Sequence, residues 1–122
     1  MFKIFVVLLF PLLIGSSDCN QFHDGTFIFY DFGSEFKIIR KGNKQIEYID
    51  GEKQVFEYDV IWDSDCSYKL FNAKTIKGDV DVSAYDKDTL YCKIVDINKS
   101  TFKVICNDKG REAKTPLITK VK

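Results

Sequence analysis

The residues best suited to bind zinc are four cysteines (Cys19, Cys66, Cys92 and Cys106) and a single histidine, His23. Structural zinc sites draw Cys and His ligands from closely spaced pairs such as Cys-x-x-Cys, and the sequence contains no such pair. A closed zinc site would need ligands scattered over the whole chain. We therefore expect no metal and no other cofactor.

The sequence also lacks a recognisable arrangement of catalytic residues. A nucleophile needs a base within reach, and His23 stands alone near the start of the chain, where a plain surface histidine is the simpler interpretation. No glycine-rich phosphate loop is present. Closely spaced carboxylates occur at three places where turns are expected, Asp63 with Asp65, Asp79 with Asp81, and Asp86 with Asp88. The sequence predicts no catalytic residue and a protein that is not an enzyme.

The first seventeen residues have the pattern of a signal peptide. Lys3 provides a positive charge, residues 4–14 form an apolar run too short for a permanent anchor, and residues 15–17 are small. The predicted organisation is a signal-peptide helix at 1–17 and one domain at 18–122, with no transmembrane segment in the mature chain. Cys19 also suggests lipoprotein anchoring, but Asp18 before it fits that processing poorly. We expect an extracytoplasmic protein, secreted or periplasmic, that functions in the cell envelope.

An exported chain favours disulfides over free thiols. Residues 89–97 and 101–106 alternate like the two strands of a hairpin around residues 98–100. If the numbers of paired residues add up to 198, Cys92 lies opposite Cys106. By elimination, Cys19 bonds Cys66. The loop-entropy model assigns about 3 kcal/mol to the shorter loop and about 4 kcal/mol to the longer one.

Charge gives no indication of the partner. The chain has 18 basic and 18 acidic residues, and loss of Lys3 with the signal peptide leaves a net charge of −1. Nucleic-acid binding needs a basic surface, so no nucleic acid is expected. The partner stays unknown, with an envelope protein and a small apolar molecule as the two candidates.

The most regular part of the chain is residues 55–62, followed by an acidic link and residues 66–71. Phe56, Tyr58, Val60 and Trp62 share one parity, which is the two-residue period of a strand with one buried face. These two segments are predicted to form a central hairpin, with Trp62 closing one end of the core.

Turn signals divide the rest of the chain into further short strands. They are predicted at 26–32, 35–40, 45–49, 89–97, 101–106 and 117–121, with Asp50-Gly51 as a two-residue hairpin turn and with Ile46 and Tyr48 on one face. Residues 73–88 fit an edge strand, a loop or a helical turn equally well. Seven or eight short strands without a helical period predict an all-β fold, an antiparallel meander barrel or half-barrel, because closure removes exposed edges.

Aromatic residues make up 15% of the chain, more than turn or surface positions need. A barrel could direct seven of them inward: Phe27, Phe29, Phe36, Tyr58, Trp62, Tyr68 and Phe102. They either fill a solid core or line a site for a small apolar ligand. Two functions therefore stay open, a non-enzymatic binding or interaction module and a lipocalin-like carrier of a small apolar ligand.

Arg40 shares the parity of Phe36 and Ile38 and is predicted to point inward. A buried arginine needs partners, and Glu47 on the next strand is the carboxylate in reach. The sequence predicts a structural ion pair between Arg40 and Glu47.

Several motifs resemble a family of small exported, secreted or lipoprotein-like proteins of flavobacteria and other Bacteroidetes. They are C-x2-F-x2-G-x-F from Cys19, Ile39-Arg40, Q-I-E from Gln45, and I-W-x-S-D-C-x-Y-x-L from Ile61. The resemblance covers most of residues 19–72. It implies export, an uncharacterised function and a role for Cys19 and Cys66 as a pair, and it implies no catalytic residue.

Overall fold

The computed structural model describes residues 18–82 and 89–122. The predicted signal peptide lies outside the described residues, as does the last part of the segment that the sequence left open, residues 83–88.

Within the described residues, a short 3-10 turn (Cys19–Phe22) precedes nine strands. The strands are β1 (Gly25–Asp31), β2 (Ser34–Lys41), β3 (Lys44–Ile49), β4 (Gln54–Trp62), β5 (Ser67–Lys77), β6 (Leu90–Asn98), β7 (Thr101–Asp108), β8 (Arg111–Lys114) and β9 (Ile118–Lys120).

Eight of these strands form a closed antiparallel barrel. Consecutive strands pair from β1 to β7, and β9 closes the barrel by pairing with both β7 and β1. This confirms the predicted all-β meander barrel. Strand β8 is the extra one: it pairs with the second half of β7 outside the closed circuit, and all four of its residues are exposed. A strand without a buried face has no hydrophobic alternation, which explains why the sequence did not predict it.

The central hairpin formed by β4 and β5 is confirmed. Trp62 pairs with Tyr68 and Val60 with Leu70, and the last three of these residues are buried. The register shifts near Asp59, where Asn72 adopts a positive φ of 53° and its side-chain amide donates to the Asp59 carboxylate. Such a bulge increases the local twist that a small barrel needs.

The turn between β3 and β4 differs from the prediction. Ile49 pairs with Gln54, so the loop has four residues, not the two of an Asp50-Gly51 hairpin turn. The Asp50 carboxylate accepts hydrogen bonds from the Ser34 hydroxyl (3.0 Å) and the Glu35 amide (3.1 Å) of the neighbouring strand. Asp50 thus ties two turns together, a role that local turn statistics do not include.

The register of β3 decides which of its two faces lies inside the barrel. Lys41 pairs with Lys44 across a two-residue turn, and this register places Gln45 and Glu47 on the face shared with the inward residues of β2. Ile46 and Tyr48 therefore lie on the outer face. The barrel interior receives two polar side chains from this strand.

The segment after residue 72, which the sequence left open, begins as strand, because β5 continues to Lys77. Beyond it the chain folds back over β5: the Thr75 hydroxyl donates to the carbonyl of Val80 (2.8 Å) and accepts from the amide of Val82 (2.8 Å). Residues 73–77 thus extend β5 and pair only with β4, and a loop follows them.

Candidate binding cavity in the barrel interior

The N-terminal 3-10 turn plugs one end of the barrel. Phe22 is fully buried, and its ring lies 4.2 Å from that of Phe102 and 6.4 Å from that of Phe27, measured between centroids. A disulfide joins Cys19 of this turn to Cys66 of the β4–β5 link, which confirms the predicted pair. The sulfur of Cys19 is therefore not available for a lipid thioether.

The rim of the same end is closed by two stacked rings. The His23 ring lies 3.6 Å from the Trp62 ring, and His23 Nε2 is 2.7 Å from the carbonyl oxygen of Asp65. Trp62 thus closes one end of the core as predicted. His23 is half-buried, with one ring face stacked on Trp62 and Nε2 at the Asp65 carbonyl, which corrects its interpretation as a plain surface residue.

A cavity of about 150 Å³ lies in the barrel interior beyond this plug. Its wall is mostly apolar. The lining residues are Phe27, Phe29, Ile38, Arg40, Gln45, Glu47, Tyr58, Tyr68, Leu70, Leu90, Phe102, Val104, Cys106, Thr115 and Ile118. The interior is thus neither a fully packed core nor an aqueous channel.

Five of the seven aromatic residues expected to point inward line this cavity: Phe27, Phe29, Tyr58, Tyr68 and Phe102. The other two do not reach the cavity. Phe36 stacks behind Phe29, with ring centroids 4.7 Å apart and planes 6° apart. Trp62 belongs to the plugged end.

Arg40 is buried at the plugged end, as its parity predicted, with 2% of its surface exposed. Its guanidinium donates three hydrogen bonds, to the side-chain oxygen of Gln45 (2.9 Å), the carbonyl of Phe22 (2.6 Å) and the hydroxyl of Tyr68 (3.4 Å). All three acceptors are neutral.

Aromatic rings surround the rest of the guanidinium. Its central carbon lies 4.7 to 5.4 Å from three ring centroids, those of Phe27, Trp62 and Tyr68. Cation–π contacts and hydrogen bonds together replace the water that the charge loses on burial. The same burial raises the pKa of the Tyr68 hydroxyl, which keeps it protonated beside the guanidinium.

The predicted ion pair between Arg40 and Glu47 is wrong. No ion pair joins the two residues, because the β2–β3 register places Gln45 opposite Arg40 and Glu47 opposite Ile38. The two-residue turn at Gly42-Asn43 determines this register, because it sets Arg40 opposite Gln45. The sequence-based prediction did not use the turn to work out which residues of the two strands pair.

Glu47 instead lines the cavity without a hydrogen bond or an ion pair to any residue in 18–82 or 89–122. Burial raises the pKa of its carboxyl to about 7, because the apolar surroundings penalise the charged form. The residue as a whole is half-buried, since the cavity leaves part of the side chain uncovered. Glu47 is the most unusual residue of the interior.

The second cysteine pair lies in the barrel wall. Cys92 pairs with Cys106 in the predicted register, and their sulfur atoms are 2.6 Å apart without a disulfide bond. The neighbouring thiol and burial raise the pKa of Cys92. The register is confirmed, and the disulfide stays a prediction.

No family model, curated protein or solved structure matches the chain. The resemblance to exported proteins of Bacteroidetes therefore stays a prediction. The described part of the chain has no helix with the length and apolar character needed to cross a membrane. Nor do its His, Cys, Asp and Glu side chains form any group of three or more that could hold a metal ion.

Proposed function

We propose that the mature protein is a non-enzymatic, extracytoplasmic binding module that carries a small, mainly apolar ligand inside its barrel. The cavity supports this proposal most directly, because it favours a small-molecule carrier over a module that acts only through its outer surface. In a small closed barrel, side chains normally fill the interior. Here the interior keeps a space of about 150 Å³ lined by rings and aliphatic side chains.

The size of the space limits the ligand. An apolar cavity of this volume accommodates one benzene-sized molecule. Pockets for drug-sized ligands occupy a few hundred Å³ or more. We therefore infer a ligand with a single ring or a comparably short aliphatic group.

The location proposed for the protein rests on the plugged end. The disulfide between Cys19 and Cys66 anchors the turn that closes the barrel, and disulfides persist in oxidising compartments. This supports an exported protein that acts in the cell envelope.

A non-enzymatic role is supported by what surrounds the cavity. His23 lies on the plugged end, where its ring stacks on Trp62 and its Nε2 contacts the carbonyl oxygen of Asp65. Glu47 is the only carboxylate among the lining residues that the structure describes. Acid–base chemistry on a bound molecule normally needs a second group placed against the first, and no described residue forms a hydrogen bond with the Glu47 carboxyl.

Titration calorimetry of the disulfide-intact domain, residues 18–122, with toluene tests the proposal. We expect saturable 1:1 binding with a Kd on the order of 0.1–1 mM, which suits a ligand of seven carbon atoms. Val104→Phe adds a ring inside the cavity and should abolish binding. Ile105→Phe makes a similar addition on the outer face of the same strand and should leave binding unchanged.

If the wild-type domain does not bind toluene saturably, or if Val104→Phe binds it as well as wild type, the carrier function is wrong. If Val104→Phe fails to fold, Leu70→Phe adds a ring to the same cavity from another strand and should likewise abolish binding. A native mass spectrum of the protein from its own envelope fraction would identify the physiological ligand as a non-covalent adduct.

A further inference from the structure

Glu47 is the carboxylate that lines the described cavity. It enters the barrel from β3, opposite Ile38 of β2 and Phe56 of β4, so its neighbours across both strands are apolar. Its carboxyl accepts no hydrogen bond and forms no ion pair with the residues that the structure describes. A carboxylate that faces an apolar space without partners costs free energy in the empty protein.

Arg40 does not neutralise that charge. Its three hydrogen bonds go to neutral acceptors on the plugged side of the barrel, and three rings enclose the guanidinium. With 2% of its surface exposed, Arg40 offers little area to a bound molecule, whereas Glu47 is half-buried. A ligand in the cavity therefore contacts the acidic group in preference to the basic one.

We propose that the ligand is a small amine, whose ammonium group pairs with the Glu47 carboxylate and whose hydrocarbon part fills the apolar side of the cavity. This rests on the proposed carrier function and names its ligand class. An ammonium group is the partner that Glu47 lacks, because it supplies both hydrogen-bond donors and a positive charge. The rings of Phe29 and Tyr58, which line the same cavity, add favourable cation–π surface.

Other titratable groups face the same space. They are Arg40 from β2, Tyr58 from β4, Tyr68 from β5 and Cys106 from β7. The charge of Arg40 opposes a second cation, so the ammonium must contact the Glu47 carboxylate directly. Because the pKa of that carboxyl is about 7, amine binding at neutral pH should also expel part of a proton.

Four one-ring probes separate charge from shape: benzylamine, benzyl alcohol, toluene and benzoate. Calorimetry at pH 7.5 should give a Kd for benzylamine about tenfold below that for benzyl alcohol, with benzoate weakest. Repeating the benzylamine titration in buffers of different ionisation enthalpy should reveal a fraction of a proton released on binding. Lowering the pH to 5 should remove the preference, because Glu47 is then neutral.

Glu47→Gln keeps the shape of the side chain without its charge. It should bring benzylamine within about twofold of benzyl alcohol, stop the proton release and leave toluene binding intact. Glu57→Gln, on the outer face of the neighbouring strand, is the matched control and should behave as wild type.

Toluene binding with no preference for benzylamine would overturn the amine inference and leave the carrier function standing. A preference that survives in Glu47→Gln, or tightest binding of benzoate, would also overturn it. If none of the four probes binds wild type, the carrier function itself is wrong and the inference falls with it.

Discussion

Two charged residues reach the interior of this barrel from adjacent strands, and their surroundings are opposite. Arg40 is enclosed by three hydrogen-bond acceptors and three aromatic rings at the plugged end. Glu47 borders an open space, and none of the described residues gives it a partner. The first arrangement is what a structural charge requires, and the second is what a ligand can complete.

The difference extends to the regions around them. The plugged end is built from buried rings and is tied to the β4–β5 link by a disulfide. The cavity is also lined by rings, among them Phe27 and Phe102, but its side chains leave a space of about 150 Å³ between them. We infer that the plugged end supplies stability and that the cavity gives up some packing to make room for a ligand.

The largest expected effect comes from removing the disulfide of the plugged end. Cys19 and Cys66 are 47 residues apart, so replacing both with Ser should lower the free energy of unfolding by about 4 kcal/mol. Urea unfolding followed by Trp62 fluorescence measures it.

The same substitutions at Cys92 and Cys106 provide the comparison. If that pair forms the predicted disulfide, the intact domain is four hydrogens lighter than the reduced chain, and its removal costs about 3 kcal/mol. A loss below about 1 kcal/mol for the Cys19 and Cys66 variant would contradict the account of the plugged end.

Arg40→Ala should produce the next largest effect, a loss of about 3 kcal/mol, because it leaves a void and three buried acceptors without their donor. Lys41→Ala, on the exposed neighbour, should change stability by less than about 0.5 kcal/mol. Equal effects of the two substitutions in urea unfolding would show that Arg40 is not structural.

The pH dependence of stability tests the surroundings of Glu47. The pKa of Glu47 is raised from an ordinary value of 4.5 to about 7, so the folded protein holds this proton more tightly than the unfolded chain does. The stability contribution is complete below about pH 4.5 and is lost as the pH rises through 7.

Because the side chain is half-buried, we expect the free energy of unfolding to fall by about 2 kcal/mol over this pH range. Glu47→Gln removes it, so the difference in unfolding free energy between variant and wild type should grow in favour of the variant from pH 4.5 to pH 8. Asp59 and Asp96, whose pKa values are lowered by lysine partners, are common to both proteins and cancel. A difference that does not change with pH would mean that the Glu47 carboxyl is not desolvated.

The sequence predicted the parts of the fold that depend on local alternation and turn chemistry. The β4–β5 hairpin, the inward direction of Arg40 and the register of Cys92 with Cys106 all follow from such patterns. Strand β8 could not be predicted, since it has no buried face.

The candidate site was only half predictable. Aromatic lining residues follow from parity, but whether they leave a space between them depends on how side chains from eight strands meet. Glu47 was assigned to Arg40 because opposite charges on adjacent strands normally pair. In the observed register Gln45 lies opposite Arg40 and bonds it, whereas Glu47 lies opposite Ile38.

The most direct test of the central claim is to locate toluene bound to the domain by solution NMR. We predict intermolecular nuclear Overhauser effects from toluene to Phe29, Leu70 and Val104, and their loss in Val104→Phe. Contacts restricted to exposed rings such as Phe32 and Tyr30, or no saturable contact at all, would contradict a ligand-binding interior.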